Sequence, residues 1–129
     1  MKSILVLDDN PQNNNCYIQP LRNYYKVDVV MALSSAERMM KHHSYDLMVI
    51  DIMMPIQNLP ITNELQTGME FFNRKIKESY PKQEVIFWTN LTKDSYDKFF
   101  PANTAHIDYL QKDKTNVNHL LNKVMEKLK

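Results

Sequence analysis

The sequence predicts an α/β fold, a parallel sheet covered by helices on both faces. Strand-like and helix-like segments alternate along the chain about five times, and parallel strands need such crossover connections. Three of the five strand-like runs are continuously apolar rather than alternating in polarity, the pattern of strands buried on both sides. The 129 residues suit a single domain spanning 1–129.

The strand-like runs are Ile4 to Leu7, Val27 to Met31, Leu47 to Ile50, Val85 to Trp88 and a weaker His106 to Leu110. A first helix is expected over Asn13 to Leu21, short or bent, because Pro20 in a helix interior costs about 3 kcal/mol. Ala36, Met39 and Met40 stand at helical offsets within Ser35 to Lys41, as do Met69, Phe72 and Ile76 within Met69 to Glu78. Asp94 to Phe100, stopped by Pro101, is a shorter helical segment. Val117, Leu120, Leu121, Val124 and Leu128 form the apolar stripe of a C-terminal helix whose other face carries Asn118, Asn122, Lys123, Glu126 and Lys129. Pro55 to Thr67 holds two prolines and follows neither period. A connection of that length is uncommon in a compact domain and is usually functional or mobile.

Composition narrows the function. A formal charge of +1 gives no electrostatic reason to expect nucleic acid or an anionic membrane as partner. The chain opens on a strand-like run, so no secretory signal is expected, and no apolar run approaches the ~18 residues of a membrane span. One cysteine, Cys16, excludes an intrachain disulfide and fits a reducing, cytoplasmic compartment. The single glycine, Gly68, excludes glycine-rich phosphate cradles.

Ligands of an open parallel sheet bind outside the carboxyl ends of its strands. Asp8 and Asp9 follow the first run, Asp51 the third, Thr89 the fourth and Lys112 the fifth. Three carboxylates close together repel and stay ionised only beside a cation. Mg²⁺ suits them, being hard and bound through carboxylates, waters and phosphate oxygens; the four histidines show no ligand spacing. A carboxylate beside Mg²⁺ can attack phosphorus, with Lys112 and Thr89 as donors to the phosphoryl oxygens. Taken singly, each of these residues also fits a turn, a cap or a solvated surface.

The segments Ile4 to Pro11, Tyr45 to Pro55 with its Asp-Ile-Met-Met-Pro run, Phe87-Trp-Thr89 and Asp108 to Lys112 resemble the receiver domain of two-component response regulators. The resemblance implies a flavodoxin-like, doubly wound five-stranded sheet in the order 2-1-3-4-5. It implies Asp51 as phosphoacceptor, and Asp8, Asp9, Asp51 and the Met53 backbone carbonyl as Mg²⁺ ligands. It further implies Thr89 and Lys112 as phosphoryl contacts and Thr89 with Tyr109 as the switch. The ring at Tyr109 also fits a half-buried edge residue.

The implied partners are a histidine kinase or histidine phosphotransfer protein and an unknown downstream protein. No output domain is expected, so signalling would pass through protein contacts. Lys93, Tyr96, Lys98, Phe99, Gln111 and the polar face of the last helix are the expected exposed candidates. The chain would catalyse only its own phosphoryl transfer and dephosphorylation, with apolar Met53 and Leu91 favouring slow hydrolysis.

The sequence departs from the family pattern at three places. Gly68 stands thirteen residues past Pro55 where the family usually has it four past, so the loop carries nine additional residues. Lys112 is followed by Asp113 rather than Pro, so their peptide is expected trans, or cis only under strain, a non-Pro cis bond costing ~2.5–4 kcal/mol. Asn90 replaces a small residue. These departures support an alternative, a receiver-like module that has lost switching and binds partners through the inserted 56–67 loop. A haloacid-dehalogenase-like phosphatase is the enzyme alternative, but Asn10 and Pro11 follow Asp8-Asp9 where that family has a second Asp two residues on.

Overall fold

A computed structural model of the chain describes residues 1–8, 15–51, 76, 78–89, 93–99, 106–112 and 116–129. Five strands run β1 Ser3–Leu7, β2 Lys26–Val30, β3 Leu47–Ile50, β4 Val85–Thr89 and β5 Ile107–Gln111. All pair in parallel, in the order β2-β1-β3-β4-β5. The described helices are α1 Asn15–Arg22, α2 Leu33–His42, α3 Lys93–Phe99 and α4 Val117–Lys127. This is the doubly wound sheet expected from the sequence. The expected helix over Met69 to Glu78, the 56–67 loop, Asn90, Leu91 and the Lys112–Asp113 peptide lie wholly or mostly outside the described residues.

The continuous apolar runs have a structural cause. Successive side chains of a strand point to opposite faces, and here both faces are covered. Leu5, Leu7, Met48, Ile50, Val85 and Phe87 pack on one side with Ala36 and Met40 of α2, Ile76 and Tyr96 of α3. Ile4, Val6, Leu47, Val49, Ile86 and Trp88 pack on the other with Tyr17, Ile18 and Leu21 of α1 and Leu120 and Val124 of α4. Each fully buried Val, Leu, Ile, Met or Phe side chain among them contributes about 1.5–3 kcal/mol relative to exposure. The central strands β1, β3 and β4 take nearly all of this burial, whereas β5 is half-buried along its length.

Helix α1 carries Pro20 inside it and ends in tight turns from Asn23 and Tyr24 back to Pro20 and Leu21. Helix α4 starts in a capping box: the Asn116 side chain accepts from the His119 N–H at 3.0 Å, and His119 Nδ1 accepts from the Asn116 N–H at 3.2 Å. The far end of α4 is anchored at the amino edge of the sheet. Lys127 Nζ lies 2.7 Å from Glu84 Oε2 and 2.8 Å from Asp108 Oδ2, and His106 Nδ1 lies 2.7 Å from Glu84 Oε1.

Burial works to raise the Glu84 carboxyl, but hydrogen bonds from Lys127 and His106 outweigh it and hold the group below its usual 4.5. A carboxyl with a depressed folded-state value stabilises fully above its unfolded value, and that contribution is lost as pH falls through the folded one. Wild type is therefore expected to exceed Glu84→Gln in unfolding free energy at pH 7. The gap should narrow as pH drops below 4.5 in urea denaturation series, and a gap independent of pH would contradict the assignment.

Candidate phosphoacceptor site

The parallel ladder continues one residue past three strand ends and so fixes where the polar side chains begin. The Asp8 N–H donates to the Val30 carbonyl at 3.1 Å, Asp51 to Leu7 at 2.9 Å and Lys112 to Thr89 at 2.8 Å. Asp8, Asp51, Thr89 and Lys112 thereby stand at the carboxyl edge of β1, β3, β4 and β5. Asp8 and Thr89 are buried, and the Asp51 and Lys112 side chains are 11% and 12% exposed.

The side chains meet. Lys112 Nζ lies 3.1 Å from Asp8 Oδ2 and 3.2 Å from Asp51 Oδ2, so one ammonium is shared by two carboxylates. Thr89 Oγ1 donates to the other Asp51 oxygen, Oδ1, at 2.9 Å. Lys112 reaches both acids although Asp113 follows it. Of the residues expected from the sequence, Asp8, Asp51, Thr89 and Lys112 are brought together; Asp9 and Met53 lie outside the described residues.

Two carboxylates against one ammonium leave an excess negative charge in a water-poor setting, with hard oxygen donors only. That donor chemistry fits a hard divalent cation such as Mg²⁺. No group of three or more potential metal ligands occurs among the described residues, since the third expected carboxylate, Asp9, is not one of them.

Tyr17 is a contact the sequence reading missed. Its hydroxyl donates to Asp8 Oδ2 at 2.9 Å, on the oxygen that also takes Lys112. Helical periodicity assigns an aromatic residue on α1 to the core, and Tyr17 is indeed buried there; only its polar tip, reaching the end of β1, carries the second role.

Tyr109 pairs in register with Phe87, and its partly buried ring packs against the α2 and α3 side of the sheet. It stacks on Tyr96 with centroids 4.5 Å apart, and Tyr96 meets Phe87 edge-on at 5.7 Å. Tyr96, expected on the surface, is 7% exposed, because Tyr109 and Phe87 enclose it. Burial, with the Asp97 and Asp108 charges, pushes its hydroxyl above the usual tyrosine range, so it stays neutral. Lys93 is exposed as expected and lies over both rings, 5.3 Å from Tyr96 and 5.6 Å from Tyr109, within cation–π range. Gln111 is half-buried, while the side chains of Lys98 and Phe99 lie outside the described residues.

A doubly wound sheet with paired aspartates, a threonine and a lysine at its carboxyl edge defines the class. The chain matches the family "Response regulator receiver domain" over residues 4–125, and belongs to it. It is similar to the response regulator TrrA of Thermotoga maritima, solved in complex with Mg²⁺-BeF, at 25% identity and a TM-score of 0.75, covering 98% of this chain and 99% of that one. The BeF3-activated DrrB receiver domain is 26% identical with a TM-score of 0.74, covering 99% and 97%. For the fold alone, the Vibrio cholerae chemotaxis protein CheY4 is 20% identical with a TM-score of 0.76, covering 98% of each chain. No curated protein matches the chain. No helix among the described residues is long and apolar enough to cross a membrane.

Breaking a buried ion pair by removing one partner costs roughly 3–5 kcal/mol, because the other charge is left uncompensated. Lys112→Met leaves Asp8 and Asp51 facing each other. It should lower the unfolding free energy in EDTA by about 3 kcal/mol by urea denaturation, and Asp8→Asn added to it should recover part of the loss.

Proposed function

We propose that this receiver domain accepts a phosphoryl group on Asp51 from a phosphohistidine of a histidine kinase or histidine phosphotransfer protein. The observation that carries this reading is the meeting of Asp51 with Thr89 and Lys112 beside Asp8, in a chain of the receiver family. An Asp51 carboxylate oxygen forms the new bond to phosphorus while the phosphorus–nitrogen bond to the donor imidazole breaks; the electron pair stays on that nitrogen, which takes a proton.

Lys112 supplies positive charge to the phosphoryl oxygens and Thr89 Oγ1 turns from Asp51 toward them. Asp8, Asp9, Asp51 and the Met53 carbonyl would hold Mg²⁺, which when bound neutralises the acids and the incoming phosphoryl charge. The complex of TrrA with Mg²⁺-BeF supports a metal in this family. The reading makes the chain no enzyme beyond its own phosphoryl transfer and dephosphorylation, places it in the cytoplasm, and has Thr89 and Tyr109 bias a surface that a downstream protein reads, with no nucleic acid or membrane as partner.

A second reading rests on the nine additional residues between Pro55 and Gly68: a receiver-like module that binds partners through the 56–67 loop without switching. Incubation with acetyl phosphate and Mg²⁺ followed by intact mass separates them. Wild type is expected to gain one phosphoryl group, and Asp51→Asn or omission of Mg²⁺ to abolish the gain. No gain in wild type, or an equal gain in Asp51→Asn, favours the binding module.

A further inference from the structure

We propose that Tyr17 is a positioning residue of this site, donating to Asp8 so that one Lys112 ammonium serves Asp8 and Asp51 together and Asp8 stays accessible to a divalent cation. The proposal rests on the Mg²⁺-dependent phosphoacceptor reading and adds to it a residue on α1, outside the four strand ends.

The argument starts from one oxygen. Asp8 Oδ2 accepts from Tyr17 at 2.9 Å and from Lys112 at 3.1 Å, and both Asp8 and Tyr17 are 1% exposed. A buried carboxylate oxygen that loses a donor seeks another, since leaving it unsatisfied carries a desolvation cost. The Lys112 ammonium is a second donor to that same oxygen. Without the phenol, the ammonium is drawn from its nearly even position, 3.1 Å and 3.2 Å from the two acids, toward Asp8. An arriving cation must then break a tighter Asp8–Lys112 pair.

The phenol cannot easily follow or withdraw. Its ring is held in the layer between α1, α4 and the sheet, edge-on to Trp88 with centroids 6.0 Å apart. Tyr17 therefore presents its hydroxyl at a fixed point, and Asp8 is oriented by a donor that carries no charge and does not compete with the cation electrostatically.

The test is a MgCl2 titration followed by emission of Trp88, the only tryptophan, in wild type, Tyr17→Phe, Lys112→Met and the double variant. Tyr17→Phe keeps the ring and is expected to raise the half-saturating Mg²⁺ concentration about 3- to 10-fold. In the Lys112→Met background the same substitution is expected to move the midpoint less than about twofold, because the effect runs through the ammonium. Equal shifts in both backgrounds, or no rise in the first, overturn the proposal.

Tyr45→Phe controls for general loosening. It removes a comparable bond, Tyr45 to Asp28 at 2.7 Å, away from the strand ends, and should leave the midpoint unchanged; a shift matching that of Tyr17→Phe overturns the proposal. A wild type without any Mg²⁺ response, or with one that survives Asp51→Asn, defeats the phosphoacceptor reading and this proposal with it. A sound wild-type response with additive variants defeats this proposal alone.

Discussion

A strand covered on both faces cannot keep a charge along its length, because a buried ion without partners is costly and both directions its side chains can point are apolar. β1, β3 and β4 are in that position, so polar chemistry starts where their apolar runs stop. The ladder hydrogen bonds that persist one residue further, from Asp8, Asp51 and Lys112, turn this constraint into a fixed geometry. The acids and the lysine are held by main chain before any side-chain contact forms.

The strand order then decides which residue types can meet. β1 and β3 are neighbours, so Asp8 and Asp51 stand one strand apart, with Thr89 next on β4. Lys112 follows β5, three strand spacings from β1, roughly 14 Å at about 4.8 Å per spacing. A side chain from that position must be long to lean over Thr89 and touch both acids, and lysine is. The amino edge uses the same device in a different setting: Lys127 bridges Glu84 and Asp108 at 2.7 and 2.8 Å, anchoring α4. There the contacts are closer than the 3.1 and 3.2 Å around Lys112. One lysine closes a structural joint; the other is spread between two acids that a second cation could claim.

The strands and the four meeting site residues were legible because each depends on local pattern plus one rule about strand ends. The apolar runs fell within a residue of the strands. What stayed illegible depends on contacts between elements. Tyr17 sits on the first helix, at a position periodicity assigns to the core, and nothing local says that its hydroxyl reaches β1. Tyr96 lies among Lys93, Asp94 and Asp97 and reads as surface; its burial is made by Tyr109, thirteen residues away on β5. The C-terminal stripe, by contrast, is dense enough for Leu120, Val124 and Leu128 to be buried as the period requires.

These tertiary contacts supply a physical route between the acid edge and the surface at α3. Thr89 donates to Asp51, and two residues earlier on the same strand Phe87 is in register with Tyr109. Phe87, Tyr96 and Tyr109 form a ring cluster, with Lys93 of α3 over two of its faces. Aromatic packing tolerates discrete rearrangements better than continuous ones, since interiors are close-packed. Tyr109 and Tyr96 share a stacked face, so displacing one ring disturbs the packing of the other. Lys93 lies over both rings, so their stacking also sets where this cation sits at the surface of α3.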